Sequence, residues 1–196
     1  IGIISFALSG FLIAVHCKLD ILGVFISAFL TAFGGGMTRD VLADRTPYVF
    51  TSNLPLSLVI ATVLIAMLFK LHKITNLEGK WAFVISDAIG LSSFAITGAI
   101  IAIESGFNFL SAVMLAFITA VGGGTIRDVL INRMPFILVS EFYATVALII
   151  GSVVYILDAF ELRNIFSLII VFIFGVVLRV LAYYKKWHLP TLSKEN

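Results

Sequence analysis

Long apolar runs separated by short polar segments dominate this chain. Runs near residues 1–16, 21–40, 54–71, 82–103, 109–128, 138–157 and 164–184 each approach the roughly 20 apolar residues that a membrane-crossing helix needs. Polar punctuation lies between them, as in His16-Cys17-Lys18-Leu19-Asp20, Lys70 to Lys80 and Asp158 to Asn164. The runs are continuous, whereas barrel strands alternate polarity over about ten residues, so helices are expected. The pattern predicts an all-α membrane protein of seven transmembrane helices. The chain is already apolar at Ile1, which places that residue within or just before the first helix.

Composition agrees with lipid as the solvent. Hydrophobic residues make up 61% of the 196 residues and charged ones 12%, against about a quarter charged in an ordinary soluble domain. Mean hydropathy is +1.14. The net charge of +2 does not point to a nucleic-acid partner, because the basic residues sit in short segments between apolar runs. Topology accounts for them. The loops after helices 1, 3, 5 and 7 carry Lys18, Lys70, Lys73, Lys80, Arg133, Lys185, Lys186 and Lys194, against Arg45 and Arg163 on the other side. The positive-inside rule then puts the amino end outside and the carboxyl end in the cytoplasm. A single cysteine, Cys17, excludes an internal disulfide framework, and no Cys/His spacing fits a metal site. Nothing resembles a nucleophile with a base or a phosphate loop, so an enzyme is not expected.

The chain repeats itself. At an offset of 88 residues, Gly34-Gly35-Gly36-Met37-Thr38-Arg39-Asp40-Val41-Leu42 aligns with Gly122-Gly123-Gly124-Thr125-Ile126-Arg127-Asp128-Val129-Leu130, and Gly2, Phe6, Gly10, Ala28, Thr31, Arg45 and Pro47 meet identical residues in the same register. Three helices per copy is an odd number, so the second copy enters the membrane from the opposite side. The reading is two inverted three-helix repeats, residues 1–72 and 81–158, followed by a lone seventh helix at 163–187. In such folds the functional pathway lies near mid-membrane, where the copies meet.

The motif helices concentrate the candidate chemistry. About thirteen apolar residues precede the glycines in each copy, covering roughly 20 Å of a roughly 30 Å hydrocarbon core. Gly34, Gly35, Gly36 and Gly122, Gly123, Gly124 therefore fall inside the membrane. Three consecutive glycines cost about 1 kcal/mol each in a helix interior, which favours kinked or locally unwound helices 2 and 5; close helix packing is the competing use. Arg39, Asp40, Arg127 and Asp128 follow at a depth where an exposed charge is expensive. Adjacent residues point about 100° apart on a helix, so the pairing expected is an exchange between copies, Arg39 with Asp128 and Arg127 with Asp40. Such pairs either brace the fold or flank a pathway in which half-helix ends coordinate a cation.

Other residues weigh less. Asp87 reads as an interfacial cap of helix 4 or, nearly as readily, as a pathway residue, Arg163 and Arg179 as side chains snorkelling to the interfaces, and Trp81, Trp187, Tyr183 and Tyr184 as interfacial anchors. His16, His72 and His188 fall in loops or at helix ends.

The paired segments GGGMTRDVLADRTP and GGGTIRDVLINRMP, with two three-helix repeats and a final helix, resemble the trimeric intracellular cation channel family in its prokaryotic branch. The resemblance covers essentially the whole chain. It implies a homotrimer in the bacterial or archaeal cytoplasmic membrane, each protomer holding its own pathway for monovalent cations, chiefly potassium with some sodium. Helices 2 and 5 would line it, with Gly34 to Gly36 and Gly122 to Gly124 as kinks and Arg39, Asp40, Arg127 and Asp128 beside the pore. No cofactor or metal is implied; permeant K+ or Na+ and bound lipid are the expected small partners, beside the bilayer and the chain's own copies. The alternative is a secondary transporter of a small zwitterion such as glycine, because inverted repeats are also the common transporter plan.

Overall fold

Side-chain caps fix where several of the helices begin. The computed structural model describes residues 1–73, 77–139 and 142–187, and all regular structure among them is helical: α1 (Gly2–His16), α2 (Ile21–Leu42), α3 (Tyr48–Thr51), α4 (Leu54–Leu68), α5 (Leu77–Glu104), α6 (Phe109–Leu130), α7 (Phe136–Val139), α8 (Tyr143–Ala159) and α9 (Ile165–Tyr184), with a 3-10 turn at Leu71–Lys73. Asp20 Oδ1 accepts from the Gly23 amide at 2.7 Å, Asn108 Oδ1 from the Ser111 amide at 3.0 Å, and Asn164 forms a reciprocal capping box with Ser167. Each satisfies amides that the first turn leaves without a partner and starts α2, α6 and α9 where it does. At the other ends the chain leaves the helix through a left-handed residue, among them Lys18, Asp44, Lys70, Asn132 and Glu161. Lys194 and His188, and the side chains of Lys80 and His72, lie outside the described residues.

Four helices are long and apolar enough to cross a membrane by length and composition: α2, α5 from Trp81, α6 and α9. The other expected spans, α1, α4 and α8, are apolar but have 15, 15 and 17 residues. Two boundaries differ from the sequence reading. Helix α5 starts before residue 82, and the run expected from 138 divides into the one-turn α7 and a helix that begins only at Tyr143.

The glycine helices are not broken. Helices α2 and α6 each run 22 residues as continuous α-helix through all three glycines, so local unwinding at Gly34–Gly36 and Gly122–Gly124 is absent. Close approach explains the glycines instead. A Cβ built on Gly35 would overlap the Thr119 carbonyl oxygen, and one on Gly123 the Thr31 carbonyl oxygen; a Cβ on Gly34 would stand 3.1 Å from Gly123 Cα, and one on Gly122 3.1 Å from Gly35 Cα. The two helices meet backbone to backbone, as small residues allow in membranes. Gly10 and Gly98 do the same for α1 on α2 and α5 on α6: an added Cβ would come within 2.8 Å of Ala28 Cα and 2.7 Å of Ala116 Cα.

Around this contact the core is apolar and aromatic. Phe6, Phe11, Leu91 and Ile150 are fully buried, and Phe6 stacks on Phe94, its counterpart in the repeat register, with centroids 5.0 Å apart. Helix α9 leaves Phe166, Ile170, Ile173, Phe174 and Val177 exposed, and α4 leaves Leu56, Ile60, Leu64 and Leu68. A helix that is apolar on both its inner and outer faces suits lipid surroundings.

Candidate functional site

Arg39 and Asp40 sit in the last turn of α2, and Arg127 and Asp128 in the last turn of α6. All four are buried. Contrary to the expected exchange between copies, each arginine pairs with the aspartate next to it. Arg39 reaches Asp40 Oδ1 through Nε at 2.8 Å and through its terminal nitrogen at 2.7 Å; Arg127 Nε donates to Asp128 Oδ1 at 2.9 Å. The 100° between neighbours fixes where the Cβ atoms point, not where a long guanidinium stem ends, and the arginine folds across the helix to its neighbour. The third glycine is not required for that path: a methyl at Gly36 or Gly124 would meet the terminal nitrogen of its own arginine at ordinary contact distance, 3.8 or 3.7 Å.

The second carboxylate oxygen has a different task. Asp40 Oδ2 accepts from the Tyr48 amide and Asp128 Oδ2 from the Phe136 amide, both at 2.9 Å. These amides open the short helices α3 and α7 directly after Pro47 and Pro135. Each aspartate thus ties its arginine to the turn that re-enters the fold, and both carboxylate oxygens are satisfied as burial requires.

Beyond this shared clamp the two halves differ. Around Arg39 lies a small, partly open cavity of about 30 Å³, bordered by Gly36, Arg39, Asp40, Tyr48 and Phe94. Around Arg127 the interior is filled. Arg127 is 1% exposed, donates a long 3.4 Å hydrogen bond to Ser9 Oγ, and lies over the Phe83 ring. Ser9 Oγ donates in turn to Asp87 Oδ1 at 3.0 Å. Arg179 lies over the rings of Tyr143 and Phe136, 4.8 and 5.5 Å from their centroids.

Two expectations are overturned here. Asp87 is 2% exposed well inside α5 and caps nothing. Arg179 is 1% exposed and does not snorkel to an interface. Distance to the helix ends does not set their burial: Asp87 meets Ser9 of α1, and Arg179 lies over rings of α7 and α8. The available signal was simply an ionisable residue within an apolar helix, which in a membrane protein points to function by default. Arg163 does stay half-exposed, paired with Asp158, while Trp81 packs edge-on against Tyr183 at 5.7 Å. At the surface Arg45 meets Glu104 at 3.4 Å, and Arg133 contacts Cys17 Sγ at 3.4 Å. Among the described residues no three His, Cys, Asp or Glu side chains gather as a metal site.

The chain resembles known proteins over nearly its full length. The family model described as glycine transporter matches residues 1–71 and 84–159. The UPF0126 membrane protein YvgT of Bacillus subtilis is 38% identical over 98% of this chain and 94% of its own. The structure reported as "Structural basis for conductance through TRIC cation channels" is 36% identical, with a TM-score of 0.85 over 100% of this chain and 95% of that one. The TRIC trimeric intracellular cation channel orthologue from Rhodobacter sphaeroides is 29% identical, with a TM-score of 0.86 over 95% of each chain.

Proposed function

The chain belongs to the family described as glycine transporter, that of the prokaryotic TRIC channels, and from that premise we propose that it is a cation channel of a bacterial cytoplasmic membrane. The observation that carries the reading is the doubled clamp: two glycine-packed helices, α2 and α6, each ending in a buried Arg–Asp pair tied to the following turn. Buried charges are costly at membrane depth and are kept where they face one another or a polar pathway. The pathway runs within one protomer between α2 and α6 and the helices that cover them, and conducts potassium and, less well, sodium. Protomers assemble as homotrimers. Seven helices cross the bilayer as two inverted repeats and a seventh, with α1, α4 and α8 lengthened across the core by their flanking turns, and with the amino end outside.

Planar-bilayer recording of the purified protein tests this. Single-channel currents in potassium, reduced in sodium and independent of a co-ion, are expected. The family description favours one other reading, transport of a small zwitterion such as glycine. Saturable, gradient-coupled glycine uptake without single-channel currents would overturn the channel.

A further inference from the structure

The second repeat holds a side chain with no equivalent in the first. Tyr143 opens α8, and at the offset of 88 its place in α4 belongs to Pro55. Both positions are buried, and the buried positions that follow, Val59 and Val63 in α4 against Ala147 and Gly151 in α8, keep the same register. The difference shows at the third glycine of each motif. Beside Gly36 an added methyl would meet only the tip of Arg39, and the small, partly open cavity borders this glycine. Beside Gly124 the same methyl would also have the Tyr143 hydroxyl 4.0 Å away. The tyrosine thus occupies, next to Arg127, a place that no side chain of α4 occupies next to Arg39.

Several elements hold Tyr143 there. It is 3% exposed although it is the first residue of its helix. Its hydroxyl hydrogen-bonds the Asp87 carboxylate of α5, the group that Ser9 of α1 also reaches, at 3.0 Å. The ring meets Phe136 of α7 edge-on with centroids 5.5 Å apart, and Arg179 of α9 lies over its face. The joint that carries the ring is strained. Phe142 has φ 57, a left-handed backbone that a bulky residue rarely adopts, and no side chain caps the helix start. The ring therefore has a latch at its tip and a hinge at its base.

Resting on the cation-channel reading above, we propose that Tyr143 is the stopper that shuts the pathway at its Arg127 end, and that conduction requires the ring to leave the space beside Gly124. The hydrogen bond between Tyr143 and Asp87 belongs to the shut state, and opening breaks it. A hydrogen bond to a carboxylate that is made in only one of two states biases their ratio about tenfold.

Potassium currents in planar bilayers test the proposal, recorded from native protein, Tyr143→Phe and Val146→Ala, each first checked for a native size-exclusion profile. Tyr143→Phe keeps the ring and removes the latch, so its open-to-shut ratio should rise about tenfold. Val146→Ala loosens the same helix one turn on, at a fully buried position, and should leave the ratio near native. An unchanged ratio in Tyr143→Phe, or an equal rise in Val146→Ala, overturns the proposal; current that appears only in Tyr143→Phe supports it. Should Tyr143→Phe fail to assemble, labelling decides with Tyr143 retained. In a Cys17→Ser background, Gly36→Cys should react with a small water-soluble thiosulfonate and Gly124→Cys at least about tenfold more slowly, since the shut population sets the rate; equal rates sink the idea. No potassium current from native protein or any variant overturns the channel reading itself, whereas native currents indifferent to residue 143 overturn the stopper alone.

Discussion

At the scale of single residues, the same Arg–Asp pair has two different settings. Arg39 borders a small open cavity, whereas Arg127 is enclosed by Phe83, Ser9 and the Asp87 neighbourhood. Removing one member of a buried ion pair leaves its partner uncompensated, at a cost of about 3–5 kcal/mol. Arg127→Gln should therefore lower thermal stability by about that amount, measured by tryptophan-fluorescence melting in detergent, and Arg39→Gln by distinctly less, because the cavity beside it lets water reach the carboxylate left behind. Equal losses would mean that the two settings are energetically alike. The surface pair Arg45–Glu104, with side chains 40% and 47% exposed, gives the contrast: Arg45→Ala should cost under about 1 kcal/mol. Run length put all four motif charges within long apolar helices, and the structure buries all four. It could not place Arg179 or Asp87, because burial of a side chain depends on which neighbouring helix covers its face.

At the scale of elements, three successive glycines divide into two jobs. Gly35 and Gly123 set how closely α2 and α6 approach, and a methyl there would overlap a backbone carbonyl that cannot move aside. Gly35→Ala or Gly123→Ala should force the helices apart and destabilise the fold by about 1–3 kcal/mol or more, as over-packing does. Gly36→Ala should assemble normally, since its added carbon meets only the arginine tip at ordinary contact distance. Size-exclusion and melting profiles of the three variants decide the point; a Gly36→Ala defect as large as that of Gly35→Ala would refute the division. The helix propensity penalty for glycine suggested a break, yet a continuous helix formed. The approach of two backbones outweighed propensity, and that approach involves residues 88 positions apart, where local reasoning has no reach.

At the scale of the whole molecule, the orientation proposed from the basic loops is open to direct test. Cys17, the single cysteine, is partly accessible in the loop after α1 beside Arg133. A membrane-impermeant maleimide should label it in inverted vesicles and not in intact cells; labelling from outside would reverse the topology. The sequence alone determined the solvent, the helical class and the doubling of the motif, because hydrophobic run length and repeat offset are properties of the chain in one dimension. Only the tertiary structure decided that each arginine pairs with its own neighbour, that the glycines serve contact rather than a break, and that Asp87 and Arg179 belong to the interior. Those outcomes depend on the faces that distant helices present to one another, and the free energy of covering a polar group is settled by what lies across from it.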